Sequence, residues 1–175
     1  NFGMMLLNNK LKVVPFTTHI PLKDVCKHIK QKPLLEAVKL LNQSLKKNFG
    51  IKKPKIAITG LNPHSGDGGL LGNEENKIIL PVIKKSLKSG ILITGPLSAD
   101  SAFQDKNLKL FDAFLCMYHD QALIPVKTID FDNTINYTLG LSFVRTSPDH
   151  GTGYDIANKA VASETSLVTA INYAA

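Results

Sequence analysis

The stretch KIAITG at residues 55–60, running directly into LNPHSGDGG at residues 61–69, decides the fold. It is a short apolar run that gives way to a polar loop. The same succession recurs twice: ILITG (91–95) into PLSAD (96–100), and AFLCMY (113–118) into HDQAL (119–123). Between the first two, Ile78, Ile79, Val82, Ile83 and Leu87 follow helical spacing from an Asn73 cap to Gly90. Short, continuous apolar strands alternating with helices belong to a sheet buried on both faces. The fold class is therefore α/β, a mostly parallel sheet flanked by helices.

Working outward, MMLL (4–7) and KLKVV (10–14) flank Asn8-Asn9 and read as a hairpin whose turn uses asparagine's tolerance of positive φ. A helix follows Pro21 with Val25 and Ile29 facing inward. A second starts near Pro33, carries Leu34, Leu35, Val38, Leu41 and Leu45 on one side, and ends at Gly50. The last third is mixed, with strands over TINYTLGL (134–141) and SFVRTS (142–147) and helices over 153–162 and 166–174.

The chain has 175 residues, 43% of them hydrophobic, which suffices for one buried core and excludes disorder. No apolar run approaches the roughly 18 residues of a membrane span, and residue 1 opens no secretory signal, so no membrane is expected and a cytoplasmic protein is. Cys26 and Cys116 have no CxxC partners, excluding a disulfide scaffold or zinc finger. The net charge of +7 raises nucleic acid as a partner. Yet ten lysines face only Asp24 and Glu36 between Lys23 and Lys55, whereas from Asp100 onward five basic residues face nine acids. The excess is one solvated helical stretch without interleaved aromatics, and no nucleic acid is expected. Arg145 is the single arginine beside 20 lysines. Its planar fork grips a carboxylate or phosphate in a way lysine cannot.

Ligands of open α/β sheets bind beyond the carboxyl ends of the strands. Here three successive strand ends carry His64, Asp100 and His119-Asp120, and His19 follows the opening hairpin. Imidazole suits zinc and similar cations, and a neighbouring carboxylate can ligate or fix a tautomer. Singly, each has a plain reading: a loop histidine, or for Asp100 a helix cap near Ser98. At this point a divalent-metal site and the plain reading both stay open. SGDGG (65–69) is neither GxGxxG nor a Walker loop, and a phosphate cradle and a simple turn are both tenable. His150-Gly151-Thr152 is a ligand-approaching loop or a helix entry. His28 reads as surface, and Cys116 as a small core residue.

TTHIPL (17–22), GLNPHSGDGG (60–69), GPLSADSAF (95–103), YHDQALIPVK (118–127), NYTLGL (136–141), VRTSPDHGT (144–152) and YDIA (154–157), in this order, resemble the 4-hydroxythreonine-4-phosphate dehydrogenases of pyridoxal phosphate biosynthesis. The resemblance covers essentially the whole chain. It implies an isocitrate/isopropylmalate-dehydrogenase-like fold, NAD as cofactor, a divalent metal (zinc, magnesium or cobalt), and a homodimer with a shared active site. By the same resemblance, His19, His64 and His119 are the metal ligands, and Lys127, Asn136 and Arg145 hold a small phosphorylated amino-acid substrate. His150, Gly151 and Thr152 resemble the cofactor loop of isopropylmalate dehydrogenases, and Asp120 is the implied general base. The family's Gly-Lys-Gly after DIA is replaced here by Asn158-Lys159-Ala160.

The implied reaction is NAD-dependent oxidation and decarboxylation of 4-phosphooxy-L-threonine to 3-amino-2-oxopropyl phosphate. Family chains are longer, and this one begins where their second half begins. The expectation is thus a partial fold without its N-terminal portion, with residues 1–125 as part of the substrate and metal domain and 126–175 as part of a second, cofactor-side domain. The 175-residue chain alone is expected to be inactive. Two rival readings are a metal-dependent hydrolase or acyltransferase of the same fold class, and a truncated, non-catalytic dimerisation or binding module.

Overall fold

The structure, a computed structural model, describes residues 2–151, 153–159 and 161–175. Its strands are β1 (Gly3–Leu7), β2 (Lys12–Pro15), β3 (Lys55–Thr59), β4 (Leu92–Leu97), β5 (Ala113–Cys116), β6 (Ile135–Leu139) and β7 (Thr146–Pro148). They form one sheet in the order β4-β3-β5-β2-β1-β6-β7. The β4-β3-β5-β2 block is parallel, while β1 pairs antiparallel with both β2 and β6, and β7 antiparallel with β6. The sheet is thus mixed, though every strand except β1 and β7 runs in one direction.

Strand alternation explains why both faces are apolar. Met5, Leu7, Val14, Ile56, Ile58, Ala113 and Leu115 enter one core cluster, and Leu6, Val13, Ala57, Phe114 and Cys116 the other. Helices α1 (Val25–His28), α2 (Gln31–Phe49), α3 (Leu80–Lys88) and α7 (Thr165–Ala174) contribute buried residues to the first cluster, and α6 (His119–Ile129) to the second. Short helices α4 (Ala99–Ala102) and α5 (Asp105–Leu110) lie between β4 and β5. A fully buried leucine such as Leu115 contributes about 1.5–3 kcal/mol by leaving water.

Local signals account for much of this. Gly50 ends α2 in the left-handed region at φ 66°. Val25 and Ile29 are buried as their spacing requires. The hairpin exists, but no positive φ occurs at Asn8 or Asn9. Instead the buried Asn8 side chain makes the turn, its Oδ1 accepting the N–H groups of Lys10 and Leu11, each at 3.0 Å. Its Nδ2 donates to the Val126 carbonyl of α6 at 3.1 Å, which docks the turn on the next layer.

Other expectations need correction. The Asn73 side chain caps nothing; a π-helical turn, Glu75–Ile79, leads into α3 instead. Pro81 has no N–H to offer the Lys77 carbonyl, and Gln31 of α2 donates to that oxygen at 2.9 Å. HDQAL is the opening of α6, not a loop. Of SFVRTS only Thr146 and Ser147 join a strand. Among the described residues of 153–162 there is, in place of a helix, a 3-10 turn, Tyr154–Ile156, followed by Asn158 at φ 64°, a value a helix cannot continue through.

Candidate functional site at the carboxyl edge of the sheet

The carboxyl ends of β2, β5, β3 and β4 lie side by side, and each is followed by one of the residues singled out above. His19 comes after β2, His119 heads α6 after β5, His64 sits in the loop after β3, and Asp100 is in the first turn of α4 after β4. The ring centroids of His19 and His119 are 5.6 Å apart. Asp120 Oδ1 lies 2.7 Å from His119 Nδ1. These side chains line a hollow of about 300 Å³ with Thr18, Leu22 and Tyr118.

Two residues of the quoted motifs to which the sequence assigned no role, Thr17 and Gln121, stitch this edge together. Thr17 donates its hydroxyl to the Met117 carbonyl at 2.8 Å, tying the segment before His19 to the one before His119. Gln121, buried, accepts at Oε1 from the Thr59 hydroxyl and the Met117 N–H, both at 2.7 Å, and donates from Nε2 to the Gly60 carbonyl at 2.8 Å. One amide thus joins the ends of β3 and β5.

His64 stands apart, and it is not among the residues lining the His19–His119 hollow. Among the described residues no three His, Cys, Asp or Glu side chains are close enough to hold a metal ion together. The His64 loop has an unusual backbone. His64, Ser65, Gly66, Asp67 and Gly68 all have left-handed φ and ψ, with φ between 41° and 80°. For the three non-glycine residues each such conformation costs roughly 1–2 kcal/mol. Anchoring bonds offset this: Ser65 donates its hydroxyl to the Pro96 carbonyl at 3.2 Å, and Glu75 receives the N–H groups of Leu61 and Asn62, each at 2.8 Å. SGDGG is therefore the heart of a left-handed turn.

A second hollow of about 570 Å³ is lined by His19, Asn136, Thr138, Arg145, Phe16 and Phe2 among others. Asn136 Oδ1 is buried with no hydrogen-bond partner, and Arg145 donates to Thr138 Oγ1 at 2.9 Å. His19 is a wall of both hollows. Lys127 lies elsewhere, donating to the Asp149 carbonyl oxygen at 3.0 Å, with Asp149 Oδ2 at 3.2 Å, an ion-pair distance outside hydrogen-bond geometry. A larger hollow, about 920 Å³, is lined by Asp149, His150, Gly151, Ile156, Ser163 and Phe131 among others. Thr152 lies outside the described residues.

The family model described as "Pyridoxal phosphate biosynthetic protein PdxA" matches residues 1–174. The chain belongs to the PdxA family. It is 53% identical over 173 residues to the 4-hydroxythreonine-4-phosphate dehydrogenase of Sulfurihydrogenibium sp., covering 99% of this chain and 53% of that protein. To that of Roseobacter denitrificans it is 49% identical, covering 98% of this chain and 53% of the relative. The chain therefore spans about half the length of the curated relatives it matches. A crystal structure of the 4-hydroxythreonine-4-phosphate dehydrogenase from Klebsiella pneumoniae superimposes with a TM-score of 0.87 at 36% identity, covering 99% of this PdxA-family chain and 54% of that one. A terephthalate 1,2-cis-dihydrodiol dehydrogenase from Burkholderia xenovorans does so with 0.79 at 32% identity, covering 98% and 54%. The described part of the chain contains no helix long and apolar enough to cross a membrane.

Proposed function

We propose that this chain carries the metal and substrate side of a 4-hydroxythreonine-4-phosphate dehydrogenase with an isocitrate/isopropylmalate-dehydrogenase-like fold. The reaction is oxidation of 4-phosphooxy-L-threonine by NAD, then loss of carbon dioxide to give 3-amino-2-oxopropyl phosphate. The observation that carries this reading is that His19 borders both the hollow holding His119 and the one holding Asn136 and Arg145. Cation-binding and anion-binding side chains thus meet at one wall, as a phosphorylated hydroxy acid requires.

His19 and His119 supply two side chains of the kind a divalent cation takes. With Nδ1 of His119 engaged by Asp120, the ring's Nε2 is left for ligation, and the His19 ring is adjacent. His64 completes the set in this reading, one of the three serving across the interface of a homodimer. When bound, the cation supplies Lewis acidity and NAD the hydride acceptor. The chain's own residues do the rest. Arg145 and the Asn136 Nδ2 orient the anionic end of the substrate, and the orphaned Oδ1 of Asn136 accepts from the substrate's ammonium group. Asp120, through its second oxygen, takes the hydroxyl proton. Lys127 joins the substrate by exchanging Asp149 for a phosphate. His150, Gly151 and Thr152 belong to the cofactor side, with residues 126–175, and the metal side spans 1–125.

A second reading, favoured by the likeness to the dihydrodiol dehydrogenase, keeps the chemistry and changes the substrate to another carboxylated alcohol. Calorimetric titration of the 175-residue chain tests both. Zinc, magnesium or cobalt should bind, and 4-phosphooxy-L-threonine should then bind more tightly than without metal. Preference for a non-phosphorylated carboxylated alcohol selects the second reading, and metal-independent binding of either overturns the first. NADH formation by a family chain of full length separates both from the hydrolase, the acyltransferase and the non-catalytic module.

A further inference from the structure

We propose that Glu75 is a positioning residue whose buried carboxylate holds residues 61–69 in their left-handed turn and thereby sets where His64 stands on the sheet edge. Glu75 is 2% exposed at the mouth of the helix that follows the loop. Its Oε1 accepts the backbone N–H groups of Leu61 and Asn62, each at 2.8 Å, and its Oε2 accepts Asn62 Nδ2 at 3.0 Å. Every group facing the carboxylate in these bonds is a donor. A carboxylate only accepts, whereas a glutamine would turn its own NH₂ against that of Asn62.

The neighbours of Glu75 reinforce the hold. Glu74 Oε2 accepts Asn62 Nδ2 at 2.8 Å, and Asn76 Nδ2 donates to the Gly68 carbonyl at 3.0 Å. Three successive residues thus grip the loop on both sides of His64. Gly66 is part of the fit, because a Cβ there would stand 2.6 Å from Glu75 Oε2. The left-handed turn places three L-residues in a conformation they avoid, so its geometry needs an anchor outside itself.

The consequence for His64 rests on its proposed role as a metal ligand; the clamp on the loop does not. The test compares the 175-residue chain with Glu75→Ala, Glu75→Gln and His64→Ala, reading amide hydrogen exchange by NMR and zinc affinity by calorimetry. Glu75→Ala should speed exchange at Leu61 and Asn62 about tenfold or more and leave β1 amides unchanged, with Glu75→Gln in between. Zinc affinity should fall in the same order. Unchanged exchange at Leu61 and Asn62 overturns the clamp. Faster exchange with unchanged zinc affinity, where His64→Ala weakens zinc, overturns the positioning of His64. If His64→Ala leaves zinc affinity unchanged, the metal reading fails, while faster exchange still supports the clamp. Should Glu75→Ala not fold, Glu75→Gln and Gly66→Ala carry the same comparison.

Discussion

Asp120 braces the ring of the residue before it: its Oδ1 lies 2.7 Å from His119 Nδ1. Such a contact sets the proton on Nδ1 and leaves Nε2 as the basic nitrogen. Asp120→Asn removes the charge that favours this tautomer. Zinc affinity should drop roughly 10–100-fold, and the ¹⁵N resonances of the His119 ring should shift toward a tautomer mixture. Unaltered resonances would show that the brace does not choose the tautomer.

Gln121 is the amide on which β3 and β5 both depend. Gln121→Leu keeps much of the volume but strands the Met117 N–H and the Gly60 carbonyl. The expected loss is about 2 kcal/mol or more, visible as a lower urea midpoint with an unchanged slope. A shift below a tenth of the midpoint would mean that water replaces the amide without cost.

Arg145→Lys should leave the melting temperature nearly unchanged, since the side chain is exposed and bonds only Thr138 among the contacts described. Substrate affinity should weaken roughly 10–100-fold with the loss of the two-pronged grip. A destabilised protein with normal affinity would return Arg145 to the status of a structural surface residue.

The two cysteines should behave oppositely. Cys26 is exposed and Cys116 fully buried, and burial pushes the Cys116 thiol up from its usual range. At pH 8 a thiol reagent should label one cysteine in the folded chain and both in denaturant. The unfolded thiol ionises near pH 8.5 while the folded one stays protonated. This contribution to stability is therefore intact below that pH and declines as pH rises above it. Guanidinium melts at pH 7 and 10 should show the decline, and Cys116→Ala should remove that part of it.

What the sequence disclosed was what neighbouring residues decide. Pro33 lies in the first turn of α2 and Gly50 ends it, and the short apolar runs became parallel strands with the polar residues that follow them on one edge. The His64 loop was opaque because its backbone is set by Glu75, buried and eleven residues away. The companionship of Lys127 with Asp149 in place of Arg145 was equally hidden, since linear order does not say on which side of β6 the end of α6 comes down. The short reach of β7 and the turn at Asn158 depend on pairing and packing that alternation does not encode.

The strand β1, antiparallel to both of its neighbours β2 and β6, acts as a gauge. Asn136, Leu6 and Val13 stand in one row across the three strands. β2 and β6 therefore run two ladder spacings apart, about 10 Å, and no loop motion can change that interval without breaking the ladder. A molecule bridging the histidine side and the Asn136 side is sorted by its length.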